Sequence, residues 1–259
     1  LDIYDGFASV YDLFMGDVDY DGWCGYIIKL IKKHYEKKPE LLAELGCGTG
    51  NITERLAEKG FDMIGIDISE RMLSVAKEKA DAAGKSILYL CQDMTEFELY
   101  GTVDIILCLC DSLNYITEYD DIIKVFKLVN NYLEPGGIFI FDLNTEYKFK
   151  EVYGCSSYGS AEDNAAYVWQ NFYDEDEKIN EYYVDIFTKD KNSDKYSRSS
   201  ECHYERAYSI DEIKAALSES GLTFEKAYDA FTFDSPKPES ERICIVAREH
   251  GKSVLEEQK

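Results

Sequence analysis

Three glycines spaced two apart, Gly46, Gly48 and Gly50, follow an apolar run that ends in Glu44. Glycine tolerates positive φ and lets a ligand press against bare main chain, so such a turn suits close contact between backbone and ligand. The helix expected after it presents unpaired N–H groups to whatever fills the turn. The spacing is G-x-G-x-G, and Asn51 stands where a dinucleotide binder would place its last glycine. That difference points away from a pyrophosphate and toward a nucleoside ligand without phosphate. Two further acids fall at the ends of apolar runs. Asp67 lies about twenty residues past the loop, where sheets of this kind grip a ribose diol. Asp93 follows the run 87–92 and can accept an adenine amino group while Met94 covers the ring. Cys47, Ile68 and Cys110 flank these groups and complete the candidate ligand site.

Alternating strands and helices must hold these groups in place. Trp23, Ile27, Leu30 and Ile31 form one helical stripe, which predicts a helix from Asp21 as N-cap to about His34. Met72, Val75, Ala76 and Ala80 recur at the same spacing behind Ser69, a suitable N-cap, and Gly84 ends that helix. Residues 103–109 read as a fourth strand. A further helix, striped by Ile122, Phe126, Val129 and Leu133, stops at Pro135-Gly136-Gly137, and residues 138–143 make a fifth strand. This βαβ alternation implies a doubly wound parallel sheet with its ligand at the C-terminal strand ends. Beyond about residue 150 the texture changes to antiparallel strands rich in Tyr, Phe and Val over 166–173, 179–188 and 196–208. Ser209-Ile210-Asp211-Glu212 is a capping box opening a last helix that Gly221 closes. Strands over 224–233 and 242–248 follow, and the short loop between them demands antiparallel pairing. The expected division is a ligand-binding domain over 1–149 and 206–259, with residues 150–205 inserted as a β lid.

Composition narrows the partners. The chain has 259 residues, and its 28 Lys and Arg stand against 51 Asp and Glu, a net charge of −23. Nucleic-acid binding depends on clustered basic side chains, and no basic run longer than Lys32-Lys33 or Lys37-Lys38 occurs. A small-molecule substrate is expected, with no nucleic acid and no membrane, in a monomer or homodimer. No stretch approaches the ~20 apolar residues of a membrane span. The N-terminus shows no signal-peptide pattern and no initiator Met, which suggests a trimmed start. The eight cysteines follow no metal spacing and read as reduced core thiols in a cytoplasmic protein.

Over nearly its full length the sequence resembles bacterial class I S-adenosylmethionine-dependent methyltransferases of a subfamily without an assigned substrate. The resemblance rests on Y-x-x-F-A-x-x-Y-D (Tyr4, Phe7, Ala8, Tyr11, Asp12) and Y-D-x-W (Tyr20, Asp21, Trp23). It continues through the loop from Glu44 to Gly50, Q-D-M at Gln92 to Met94, C-D-S-L-N-Y at Cys110 to Tyr115, and E-x-H-x-x-R (Glu201, His203, Arg206). It implies an α/β fold, a Rossmann-like seven-stranded class I methyltransferase sheet with an antiparallel β lid inserted after strand 5. It also implies that S-adenosyl-L-methionine is the cofactor. Gly46, Gly48 and Gly50 would hold its methionine part, Glu44 its amino group through water, Asp67 the ribose and Asp93 the adenine. Tyr11 would close over the methionine end.

In-line methyl transfer draws much of its acceleration from alignment, and a base is needed only where the nucleophile must lose a proton. Asp111, Asn114 and Tyr115, just past the fourth strand, are candidates for the acceptor side. His203 lies in the expected lid and has an unperturbed pKa of about 6.5, which suits a base. Glu201 and Arg206 are candidate substrate contacts. On a regular strand, however, Arg206 faces away from Glu201 and His203 unless a bulge intervenes. No metal is expected, although Asp111 with Asp142 leaves room for one. Two other readings stand beside methyl transfer to a small molecule: a nicotinamide-dependent oxidoreductase on a similar sheet, and an S-adenosylmethionine-binding protein without catalysis.

Overall fold

A computed structural model describes residues 8–190 and 193–252, with residues 8–10 described by backbone alone. Tyr4 and Phe7 of the N-terminal motif lie outside the described residues. The chain opens with two helices, α1 (Ala8–Phe14) and α2 (Tyr20–His34). A parallel alternation follows: β1 (Leu41–Leu45), α3 (Asn51–Glu58), β2 (Asp62–Asp67), α4 (Glu70–Ala82), β3 (Leu88–Cys91), β4 (Val103–Cys108), α5 (Tyr119–Tyr132) and β5 (Leu133–Asn144). Four strands come next, β6 (Ser157–Ala161), β7 (Ala165–Asp174), β8 (Ile179–Lys189) and β9 (Tyr196–Arg206). The chain then returns through α6 (Ile210–Glu219), β10 (Leu222–Asp229) and β11 (Arg242–Glu249).

The main sheet has seven strands in the order β10-β11-β5-β4-β1-β2-β3, and β6-β7-β8-β9 form a separate antiparallel sheet. Within the main sheet β11 runs antiparallel to both β5 and β10, and every other pair is parallel. Strands β1, β4 and β5 are buried on both faces, so they read as continuous apolar runs. Helices α5 and α6 cover one face through Ile122, Phe126, Ile213 and Leu217. Helix α2 covers the other through Trp23, Ile27, Leu30 and Ile31.

Local chemistry explains where the boundaries differ from expectation. The cap of α2 is Asp19, whose carboxylate accepts from Gly22 N at 2.8 Å, so the helix starts before Asp21. Strand β5 runs straight through Pro135-Gly136-Gly137, and the pairing with β4 is irregular there. Strand β6 is exposed along its whole length and carries no apolar alternation that could reveal it. Strand β10 stops at Asp229, and Phe231 just beyond it adopts a left-handed φ of 65°. The capping box at Ser209 forms as expected, with Glu212 accepting from Ser209 N at 2.9 Å.

Candidate active site

A cavity of about 520 Å³ opens where β1, β2, β3 and β4 terminate and continues beneath the four-stranded sheet. Its first half is built by the glycine turn. Gly46 and Gly48 both have left-handed φ, +68° and +53°. A Cβ on Gly46 would lie 2.6 Å from Ser112 Oγ, so the turn can pack against the chain after β4 only as glycine. At Gly48 the same position meets nothing within 4 Å. Gly50 sits behind the turn as the N-cap of α3 and does not line the cavity. The other candidate cofactor residues do line it: Tyr11, Glu44, Cys47, Asp67 and Ile68, together with Asp93, Met94 and Cys110.

Each acid here is held differently. Asp67 accepts from Gly48 N at 2.7 Å and Ser69 N at 2.9 Å, which ties the glycine turn to the end of β2. Burial pushes its carboxyl up, and those N–H groups pull it back. Asp93 accepts from Thr95 N and Thr95 Oγ1, both at 2.8 Å and both on Oδ1, so Oδ2 is available to a ligand. Glu44 is 3% exposed and accepts a hydrogen bond from the Thr53 hydroxyl. Burial drives its pKa up to about 8, against the pull of Thr53 and with a further push from Asp67.

Helix α1 is latched onto the turn by Asp12. Its Oδ1 accepts from Thr49 Oγ1 at 2.6 Å and Asn51 Nδ2 at 2.8 Å, and its Oδ2 pairs with Lys79 Nζ at 2.9 Å. Among the described residues lining the cavity, Arg242 is the sole cation. Glu44, Asp67, Asp93, Asp111 and Glu205 line the cavity with it, so acids outnumber cations there, which fits a positively charged ligand better than a phosphorylated one. Burial pushes the Cys47, Cys108 and Cys110 thiols up, which leaves them as poor nucleophiles.

Beyond β4 the backbone is strained: Cys110 and Asp111 both take a left-handed φ of 57°. Such non-glycine residues cost of order 1–3 kcal/mol each and persist only when their surroundings hold them. Arg242 does the holding. Its guanidinium donates to Asp111 Oδ1 at 2.6 Å and to Asp142 Oδ2, and Asp142 Oδ2 also accepts from Asp111 N at 3.1 Å. The acid pair that left room for a metal is therefore bridged by a side chain from β11.

The other half of the cavity is aromatic. Tyr115 enters from the turn after β4, Tyr153 from the segment after β5, Tyr167 and Trp169 from β7, and Tyr182 from β8. Trp169 lies 5.1 Å from Tyr153 and 5.3 Å from Tyr182, ring centre to ring centre. Asp111 and Tyr115 reach the cavity, but four expected acceptor-side residues do not line it. Asn114 is fully buried. It donates to Asn144 O at 3.2 Å and Arg206 O at 2.8 Å and accepts from Asn144 N at 3.0 Å, so its bonding capacity serves the fold.

Strand β9 pairs with β8 without a register shift, so no bulge brings Arg206 round. Its guanidinium donates to Thr117 O at 3.1 Å and to Glu212 at 3.4 Å. His203 is 2% exposed and stacks on Tyr182 at 4.7 Å, behind the cavity wall. Glu201 lies 3.2 Å from His203 Nε2. The residue on that strand that does reach the cavity is Glu205, which the motif reading passed over. Alternation from His203 would have found it, since residues two apart share a face.

A profile of the methyltransferase domain family matches residues 42–137. A putative methyltransferase of Bacillus subtilis (strain 168) is 38% identical over 247 residues, spanning 95% of this chain and 97% of its own length. The crystal structure of an S-adenosylmethionine-dependent methyltransferase from Clostridium acetobutylicum ATCC 824 superposes with a TM-score of 0.85. It has 34% identity and covers 96% of this chain and 99% of that one. More distantly, a dTDP-4-amino-2,3,4,6-tetradeoxy-D-glucose N,N-dimethyltransferase of Saccharopolyspora spinosa is 26% identical over 141 residues, 54% of this chain and 53% of its own length.

Proposed function

Because the chain belongs to the bacterial class I S-adenosylmethionine-dependent methyltransferases, we propose that it methylates a nitrogen or oxygen atom of a small molecule enclosed beneath the four-stranded sheet. The observation that carries this reading is the single cavity joining the glycine turn to the aromatic chamber. Bound S-adenosylmethionine supplies a methyl group on a positively charged sulfur. The glycine turn and Glu44 hold the methionine end, with Tyr11 over it. Asp67 takes the ribose hydroxyls, and Asp93 takes the adenine amino group between Ile68 and Met94. Residues 150–205 act as the lid, and its aromatic side chains exclude water and align the acceptor, the main source of rate for such a transfer. The acid excess of the cavity argues against RNA or DNA, whose phosphates need basic partners. All eight cysteines are unbridged, which supports work in the cytoplasm.

The test is transfer of tritium from methyl-labelled S-adenosylmethionine into a deproteinised small-molecule extract of bacterial cells. Enzyme-dependent label is expected in molecules other than the donor that pass an ultrafilter, and pretreating the extract with RNase or protease should leave it there. Silence across extracts, with the donor still bound, would instead favour the non-catalytic binder. Binding of NADH in place of S-adenosylmethionine would restore the oxidoreductase.

Glu44 makes a second expectation, about protons. Its carboxyl holds a proton below about pH 8 in the ligand-free protein, and the donor's amino group favours the charged form. Binding at pH 7 should therefore release up to one proton. Calorimetry in phosphate and in Tris, which differ in ionisation enthalpy, reads this directly. Affinity should climb with pH, approaching about tenfold per unit, and level off above about 8. In the ligand-free protein the sign is opposite. The unfolded chain has already lost this proton above about 4.5, so stability falls as pH rises from there toward 8. Glu44→Gln should abolish both effects.

A further inference from the structure

The acceptor chamber contains a carboxylate that the donor chemistry does not use. Glu205 lines the cavity near the end of β9 and is only 3% exposed. An ionised carboxylate is costly to bury unless a partner is supplied. Its hydrogen bond within the protein is long, from the Tyr182 hydroxyl at 3.4 Å. The charged groups around it are Asp111 after β4, Lys148 after β5 and Arg242 on β11. Both cations have other partners: Arg242 bridges Asp111 and Asp142, and Lys148 donates to Asn144 Oδ1 at 3.0 Å. Burial and Asp111 push the Glu205 carboxyl well up, while Arg242, Lys148 and Tyr182 pull it down.

Behind Glu205 a chain of polar groups leads away from the cavity. The Tyr182 hydroxyl shares a hydrogen bond with the Tyr115 hydroxyl, which lies 3.4 Å from His203 Nδ1, and His203 Nε2 is 3.2 Å from Glu201. Catalytic hydrogen bonds are often long before substrate is bound. The distances at both ends of this chain suit that state.

We propose that Glu205 is the catalytic proton acceptor for a small aliphatic amine, which enters protonated. The proposal rests on the methyl-transfer reading and names its substrate class. The bound ammonium favours the ionised form of Glu205 and then gives one proton to that carboxylate, which frees the nitrogen lone pair. The nitrogen–carbon bond then forms as the donor's carbon–sulfur bond breaks, and that electron pair stays on sulfur as a neutral thioether. The product leaves as a methylated ammonium, and the proton on Glu205 passes by way of Tyr182 and Tyr115 to His203. His203, Tyr115 and Tyr182 are thus positioning residues. The same surplus of acids disfavours an anionic acceptor.

The test separates the labelled filtrate of the tritium experiment by cation exchange at pH 7. Label is expected in the retained fraction as an enzyme-dependent cationic species that elutes apart from S-adenosylmethionine. Glu205→Gln should lower its rate of appearance about 10²–10⁴-fold, the range of a lost acid–base group, with affinity for S-adenosylhomocysteine within threefold of the native protein. Tyr182→Phe should shift the acid limb of the rate–pH profile while leaving that affinity alone. Label in neutral or anionic fractions, label in none, or a Gln variant as fast as the native protein would overturn the assignment. The charge class of the native product decides the matter even if the variant does not fold. Failure of the native protein to bind S-adenosylhomocysteine would overturn the methyltransferase reading itself.

Discussion

Gly48→Arg is expected to abolish measurable binding of S-adenosylmethionine in a protein that still folds. Gly48 has φ +53° and open space where a Cβ would project, so a side chain can leave the backbone there without meeting a packed atom. Its backbone conformation costs roughly 1–2 kcal/mol for a residue other than glycine, a tolerable part of a typical stability of about 5–15 kcal/mol. The ligand fares worse. A guanidinium at the rim of the cavity displaces it sterically and sets a positive charge beside a positively charged molecule. Micromolar affinity corresponds to about −8 kcal/mol, and a loss of at least ~1,000-fold leaves millimolar binding, beyond calorimetric reach. Circular dichroism should be native. Unchanged affinity would remove the glycine turn from the donor site.

Asp67→Ala should raise KM for the donor by about 100-fold or more while kcat at saturation stays within a few-fold. The carboxylate holds Gly48 N and Ser69 N in the ligand-free protein, and the ribose hydroxyls would be its further partners. Its loss leaves two N–H groups unsatisfied at about 1–3 kcal/mol each and frees the glycine turn from β2. That is ground-state binding as much as transition-state binding, so the deficit falls on KM. The melting temperature should drop as well. A variant with native KM and reduced kcat would instead put Asp67 in the reacting half of the cavity.

The residues proposed for the donor were legible as candidates because they sit in short contiguous stretches. Glu44 ends an apolar run just before the glycines, and Asp67 and Asp93 follow apolar runs of their own. The aromatic half of the cavity assembles across long separations. Arg242 meets Asp111 131 positions away, and no spacing rule links them. Glu205 was hidden for a different reason: E-x-H-x-x-R drew attention to Arg206, whose place at the end of β9 points it toward Thr117 and Glu212. Asn114 looked like a loop residue exposed to substrate, yet its amide is spent joining β5 to β9. Strand β6 left no trace in the sequence because neither of its faces is buried.

Arg242 has one more implication, for the order in which the molecule is made. Domains fold as units during synthesis, N-terminal ones first, and β11 belongs to the same seven-stranded sheet as β1 to β5. Glu44, Asp67 and Asp93 emerge early, whereas Asp111 and Asp142 wait about a hundred residues of translation for the guanidinium that bridges them. Until β11 docks against β5, two neighbouring acids repel one another and the left-handed turn at Cys110 and Asp111 lacks its guanidinium. The wall around Asp111 therefore cannot be completed before the C-terminal strand has been made.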